Sequence, residues 1–408
     1  MNRKVPFQTQ GSTISRHPSR LPFESPLEWS EASGARLYCG AQSFVDWNQG
    51  LGAVGVLGHR YGEVVEAIEV ALRRGGVAHL PHRDESEVAE LLLETVPCLN
   101  PRDWTVRFAE NGSDVTASAV RLARGITGKT KVIVFEGAYH GESASDWHLC
   151  AKPPALGVPE GYPRPITLPW NAPDLYSNLD FDEIAAVIFE VNIEDPTPGM
   201  VTWLNSIADR DDVFLIADEV VTGFRLARGG ACEAFDIRPD LVCYGKALGN
   251  GLVPISALCG RREPMYRLNP SHPEGYVFMS YTYAGYLPGL AAARASLRSL
   301  QDATIFDFID SVGRDLMESF DASAVQHGVV AKAVGQAERS RFVFANAGGF
   351  TGEELWRTFI RSMMERGIAM YVANFPTIFH DEALLERTRR AMSVSLSTLE
   401  QKTVKGKA

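Results

Sequence analysis

Three short segments of this 408-residue chain hold residue types that can do covalent chemistry. The first is Tyr244-Gly245-Lys246-Ala247-Leu248-Gly249-Asn250-Gly251, a lysine among small residues just past the apolar run Leu241–Tyr244. A lysine whose pKa is lowered condenses with carbonyl compounds to form an imine; the ordinary alternative is a solvated loop lysine. The second is Ile216-Ala217-Asp218-Glu219-Val220, an acid at the carboxyl end of an apolar strand. A buried carboxylate needs a partner, which a protonated pyridine nitrogen can supply, and otherwise it caps the strand end. The third is Asn111-Gly112-Ser113-Asp114, between the strand Thr105–Ala109 and a helix. Its glycine permits close backbone approach and its hydroxyl stands at a helix N-terminus, so it can cradle a phosphate, although Ser and Asp are also ordinary caps.

Spacing decides among these readings. Asp218 and Lys246 lie 28 residues apart, each at a strand end, and Tyr139-His140-Gly141 follows another strand, Lys131–Phe135. Ligands of open α/β sheets gather at that edge of the strands.

The elements that must hold these residues are legible as periodicity. Ala35–Cys39 and Ser43–Trp47 read as strands, and Glu63–Arg74 and Glu85–Val96 as helices, the former with a basic last turn and Gly75-Gly76 as its stop. From about residue 105 short apolar runs alternate with helices: Asp114–Gly125 is helical, while Ala185–Glu190, Val213–Asp218, Leu241–Tyr244 and Ser256–Cys259 are strands. Runs apolar on both faces suit a parallel sheet covered by helices. Tyr286–Ser299 is a long Ala/Leu-rich helix, and a strand is expected near Arg341–Ala345. The expected organisation is an α/β chain with an N-terminal segment and part of a small domain over 1–75. A large domain with a mainly parallel sheet follows over 76–300, and a small α+β domain over 301–408 completes it. Residues 1 to about 30, polar and rich in Pro and Ser, are expected to wrap over another element.

Composition narrows the rest. With 45% hydrophobic and 22% charged residues the chain can bury a sizeable core. A net charge of −10 argues against binding driven by the nucleic-acid backbone, which needs a basic face. The six cysteines stand singly with no CxxC, so neither a disulfide framework nor a metal site is expected. No secretory h-region and no run of ~18 apolar residues occurs, which makes the cytoplasm the default and a membrane span unexpected.

With those residues in view, the segment NGSDVTASAVRLARGITGKTKVIVFEGAYHG resembles the phosphate loop, helix and YHG turn of the class III aminotransferases. The run from Asp218 to Gly260 resembles their cofactor signature. GFRLARGGA, LGHRYGEVVEAI and YVFMSYTYAGY are most similar to the glutamate-1-semialdehyde aminomutase branch. The resemblance covers roughly residues 35 to 395. It implies fold type I, the cofactor pyridoxal 5′-phosphate (PLP), and pyridoxamine 5′-phosphate as its second form. On the matching positions it implies Lys246 as the Schiff-base lysine and Asp218 as partner of the pyridinium nitrogen. Tyr139 and Val220 would lie on the two ring faces, and Gly112 and Ser113 at the phosphate. Glu190 would act behind them, and His140 would be structural rather than a base. Thr282 would reach the phosphate of the neighbouring subunit's cofactor, in a homodimer with shared sites whose interface includes Gly50–His59.

The pattern departs from the family at Asn111 and Asp114, where SGTE or SGSE is usual, and at Gly285-Tyr286-Leu287, where Asn-Pro is usual. The early loop reads Gly50-Leu51-Gly52-Ala53-Val54-Gly55 in place of a segment with Trp. Arg225, Arg339 and Arg341 are the candidates for binding a substrate carboxylate. The expected activity is amino transfer between a small-molecule donor and a carbonyl acceptor. An intramolecular aminomutase and a decarboxylase are the alternatives on the same fold.

Overall fold

The computed structural model describes residues 28–141 and 164–405. The expectation for most of the N-terminal 30 residues, and Cys150, therefore lie outside the described residues. Three short strands come first: β1 (Glu31–Ser33), β2 (Arg36–Cys39) and β3 (Gln42–Asp46), antiparallel in that order.

Seven strands then build the main sheet: β4 (Trp104–Ala109), β5 (Lys131–Phe135), β6 (Ile166–Leu168), β7 (Ile184–Phe189), β8 (Phe214–Asp218), β9 (Leu241–Tyr244) and β10 (Ser256–Arg261). Their spatial order is β4-β10-β9-β8-β7-β5-β6. β10 runs antiparallel to both β4 and β9, and the other pairings are parallel. The expected mainly parallel sheet is present, with one strand reversed. The reversal follows from the link before β10, which holds only the 3₁₀ turn Lys246–Gly249 and lacks the helix that a parallel crossover usually needs.

Every residue of β7 is buried, as befits a central strand. Helix Gly112–Thr127 lays Val115, Ala119, Leu122 and Ala123 against Val134, Ile188, Ile216 and Leu258 of the sheet. Burying side chains the size of Val115 and Leu122 contributes ~1.5–3 kcal/mol each, so the helix start is fixed firmly relative to the strand ends.

After helices Leu287–Ser299 and Thr304–Gln326 the chain forms the hairpin β11 (Ala331–Gln336) and β12 (Arg339–Phe344), then β13 (Ile368–Ala369), which joins β3 in parallel. Both chain ends thus contribute to one small α+β unit, whose core stacks Phe320 on Phe342 at 3.8 Å. The two compact units are Met1–Leu51 with Phe308–Ala408, and Gly52–Asp307. The division falls after Leu51 rather than after residue 75, because helix Gly62–Arg74 packs on Leu287–Ser299 of the large unit.

Candidate active site

The carboxyl ends of β5, β7, β8 and β9 lead to Tyr139-His140-Gly141, Glu190, Asp218 and Lys246 respectively. Gly112, Ser113, Tyr139, His140, Asp218, Val220 and Lys246 line a single cleft of about 430 Å³. Ala53 and the run Gly251–Ile255 also line it. Sites at this edge are the rule for open α/β sheets.

The phosphate-type loop is a closed capping box. The Asn111 side chain accepts from the Ser113 N–H at 2.9 Å, and Asp114 accepts from the Asn111 N–H at 3.0 Å. Burial raises the pKa of Asp114, against the hydrogen bonds from Asn111. Two glycines let this corner pack closely. A Cβ on Gly112 would stand 2.8 Å from Val220 Cγ1, and one on Gly141 (φ +88°) would stand 2.3 Å from Ser113 Oγ. Thr116 Oγ1 donates to the His140 carbonyl at 2.6 Å, tying the helix to the Tyr139–Gly141 turn.

His140 and Asp218 meet at 2.8 Å, Nδ1 to Oδ2, with both side chains withdrawn from solvent. An ionised carboxylate only accepts, so Nδ1 carries the hydrogen. His140 Nε2 is buried and has no hydrogen-bond partner among the described residues. Asp218 Oδ1 also accepts from the Val220 N–H at 3.0 Å. These donors compensate the burial of its charge.

Lys246 is half-buried and takes φ +41°, with Gly245 extended before it and Asn250 left-handed at φ +48°. A left-handed non-glycine backbone is held only where the surroundings over-determine it. Asn250 is one such constraint, accepting from the Gly55 N–H at 3.1 Å and donating to the Gly58 carbonyl at 2.8 Å. Next to Asp218, the buried Glu219 accepts from the N–H groups of Ala231 and Cys232, and burial raises its pKa.

Other expected residues lie elsewhere. Glu190 is not in the cleft lining; its carboxylate accepts from the Tyr139 N–H at 3.0 Å and fixes that loop, while the Tyr139 ring is 59% exposed. Thr282 is exposed on the turn Thr282–Gly285, outside the lining. Arg225 is fully buried and donates to the Val54 carbonyl at 3.0 Å. Arg339 and Arg341 belong to β12 of the small unit. Thr116 and Glu110, which line the same cleft, carried no sequence signal beyond their nearness to Gly112.

Fold and cleft together define an α/β protein with a lysine at the carboxyl edge of its sheet. The family model for class III aminotransferases matches residues 24–337, and the chain belongs to that family. PLP is the cofactor of these enzymes, as the sequence led one to expect. Glutamate-1-semialdehyde 2,1-aminomutase of Methanothermobacter thermautotrophicus is 32% identical over 88% of this chain and 89% of its own. The enzyme of that name from Syntrophobacter fumaroxidans is 32% identical over 87% and 86%. Among solved structures, the FumI protein of Sphingopyxis sp. MTA144 in its PLP internal aldimine form shares the fold with a TM-score of 0.85 and 24% identity, over 98% of this chain and 95% of its own. A glutamate-1-semialdehyde aminomutase from Pseudomonas aeruginosa does so at 0.79 and 23%, over 93% and 89%. No helix among the described residues is long and apolar enough to cross a membrane.

Proposed function

We propose that this chain moves an amino group on a small molecule, with PLP held in the cleft around Lys246. The convergence of Lys246, Asp218, His140 and the Asn111–Asp114 loop on one cleft carries this reading. The residues fit the cofactor: Gly112 and Ser113 open a helix N-terminus at the cleft wall, and His140 Nε2 and the Asp218 carboxylate are buried polar groups of the same lining.

When bound, PLP supplies an aldehyde that condenses with amines and a ring that takes up the electron pair released at the carbon bearing nitrogen. Lys246 Nζ would anchor it and then carry a proton on and off that substrate carbon. Asp218 would hold a proton on the ring nitrogen, and His140 would keep the Asp218 carboxylate oriented. Gly112 and Ser113 would hold the phosphate at the helix N-terminus, where the exposed N–H groups favour an anion. Tyr139 would lie on one face of the ring and Val220 on the other, with Glu190 fixing the Tyr139 loop.

The names of the 32%-identical relatives favour the version in which donor and acceptor carbons belong to one molecule. Supplying glutamate 1-semialdehyde tests it: the amino group should move from C2 to C1 with no second amine present. Transfer that requires a separate amine and carbonyl compound supports the two-substrate version. Failure of every donor to react rules out both.

The proposal includes a homodimer, in which Thr282 of one chain meets the phosphate held by its neighbour, since Thr282 stands exposed outside its own cleft. It also takes the cytoplasm as the compartment, which the free Cys39, Cys98, Cys232, Cys243 and Cys259 support.

A further inference from the structure

Three hydrogen bonds to the helix that opens at the cleft, and a fourth to Glu110 just before it, lace down the segment that carries Thr282. Arg121 donates to the Phe278 carbonyl at 3.0 Å. The Tyr281 hydroxyl donates to the Asp114 carbonyl at 2.9 Å and lies 2.8 Å from Ser118 Oγ. Since the phenol hydrogen goes to Asp114, Ser118 is the donor in the second contact. On the far side of Thr282, the Tyr283 N–H donates to Glu110 Oε1 at 3.2 Å. The segment has no regular secondary structure of its own from Gly275 to Tyr281, so these tethers, with Val277, Met279 and Tyr281 packed on the sheet core, decide where it runs. Ser118 is buried and Tyr281 half-buried, and burial pushes the Tyr281 phenol up, which favours its protonated, hydrogen-donating form.

Two anchors thus bracket one exposed threonine at positions −1 and +1, and both are set on the backbone or side chains of the phosphate-loop region. We propose that Tyr281 and Glu110 are positioning residues for cofactor binding. They fix Thr282 in the exposed turn from which it meets the phosphate in the neighbouring subunit. The inference rests on the reading of Thr282 given under Proposed function. Without the tethers, an irregular segment would lose conformational freedom only when the phosphate bound, and that entropy would be charged against affinity.

A double-mutant cycle on the PLP dissociation constant of the full-length protein tests this. Tyr281→Phe keeps the ring in the core and removes both phenol hydrogen bonds; it should weaken PLP binding about tenfold, while binding of pyridoxal, which has no phosphate, stays unchanged. Ser118→Ala should shift PLP affinity in the same sense by less. In a Thr282→Ala background, Tyr281→Phe should have no further effect. If the two losses multiply, Tyr281 acts independently of Thr282 and the inference is wrong although the threonine contact stands. If Thr282→Ala alone leaves PLP affinity unchanged, the threonine contact itself is wrong and the inference falls with it.

Discussion

The imidazole of His140, in the turn after β5, and the carboxylate of Asp218, at the end of β8, are joined Nδ1 to Oδ2 at 2.8 Å, although 78 residues apart in sequence. Hydrogen bonds to a charged group in a water-excluded site contribute ~1.5–3 kcal/mol, so orientation of Asp218 depends on this contact. His140→Ala should therefore retain the fold and the cofactor but lose about 10- to 100-fold in kcat/KM. An imidazole in the variant's buffer should restore part of it. A variant within twofold of the parent would show that Asp218 is oriented by the Val220 N–H alone.

Asp218→Asn tests the charge itself. The amide keeps the shape and can still accept from Val220, but it cannot hold a ring nitrogen protonated. One preorganised charge is typically worth ~3 kcal/mol of transition-state stabilisation, so turnover should fall about 10²-fold or more while PLP remains bound. Retention of near-parental turnover by this variant, measured with the best donor, would assign the carboxylate another role.

Gly112 is required by its contact with Val220. A Cβ there would stand 2.8 Å from Val220 Cγ1 and 3.0 Å from Cγ2, with β-branched Val220 stiff at χ1. Gly112→Ala should weaken PLP binding, and adding Val220→Ala should recover part of the loss by opening the same space. If the pair of changes is as weak as Gly112→Ala alone, the steric account fails.

Away from the cleft, Asp240 offers a pH-dependent test. Burial pushes its carboxyl up to about 6, although it accepts from the Leu215 N–H at 2.9 Å and Arg261 acts in the opposite sense. The folded state then binds a proton more tightly than the unfolded state. Stability contributed by the neutral acid is present below the unfolded pKa near 4 and is lost as pH rises to about 6. Asp240→Asn keeps the acceptor without the charge. It should be more stable than the parent by ~2 kcal/mol at pH 7.5 in urea unfolding, with the gain shrinking toward pH 4.5. An equal gain at both pH values would contradict the assigned cause.

The strands that lead to Asp218 and Lys246 were legible because a central strand buried on both faces must be apolar throughout, and Phe214–Asp218 and Leu241–Tyr244 fall within a residue of the apolar runs. Helix Gly112–Thr127 announced itself through its cap residues and its apolar stripe. What sequence did not reveal depends on non-local or backbone-specific geometry. Gln49 and Leu51 take φ +45° and +60° beside Gly50 and Gly52, a left-handed run that two of its residue types disfavour. The reversal of β10 depends on a connection too short for a crossover helix. The Tyr281 tether and the Asn250 clamp join residues more than 160 positions apart, and no periodicity encodes such pairs. His140 was visible as part of a motif, but its contact with Asp218 was not.

The central claim is that Lys246 bonds the cofactor. Reducing the PLP-loaded protein with borohydride converts a carbon–nitrogen double bond at a lysine into a stable amine, which peptide mass spectrometry then locates. A pyridoxyl-phosphate mass on the peptide containing Lys246, and its disappearance in Lys246→Ala with loss of turnover and a preserved fold, is the result the account predicts. A label on another lysine, or an active Lys246→Ala enzyme, would contradict it.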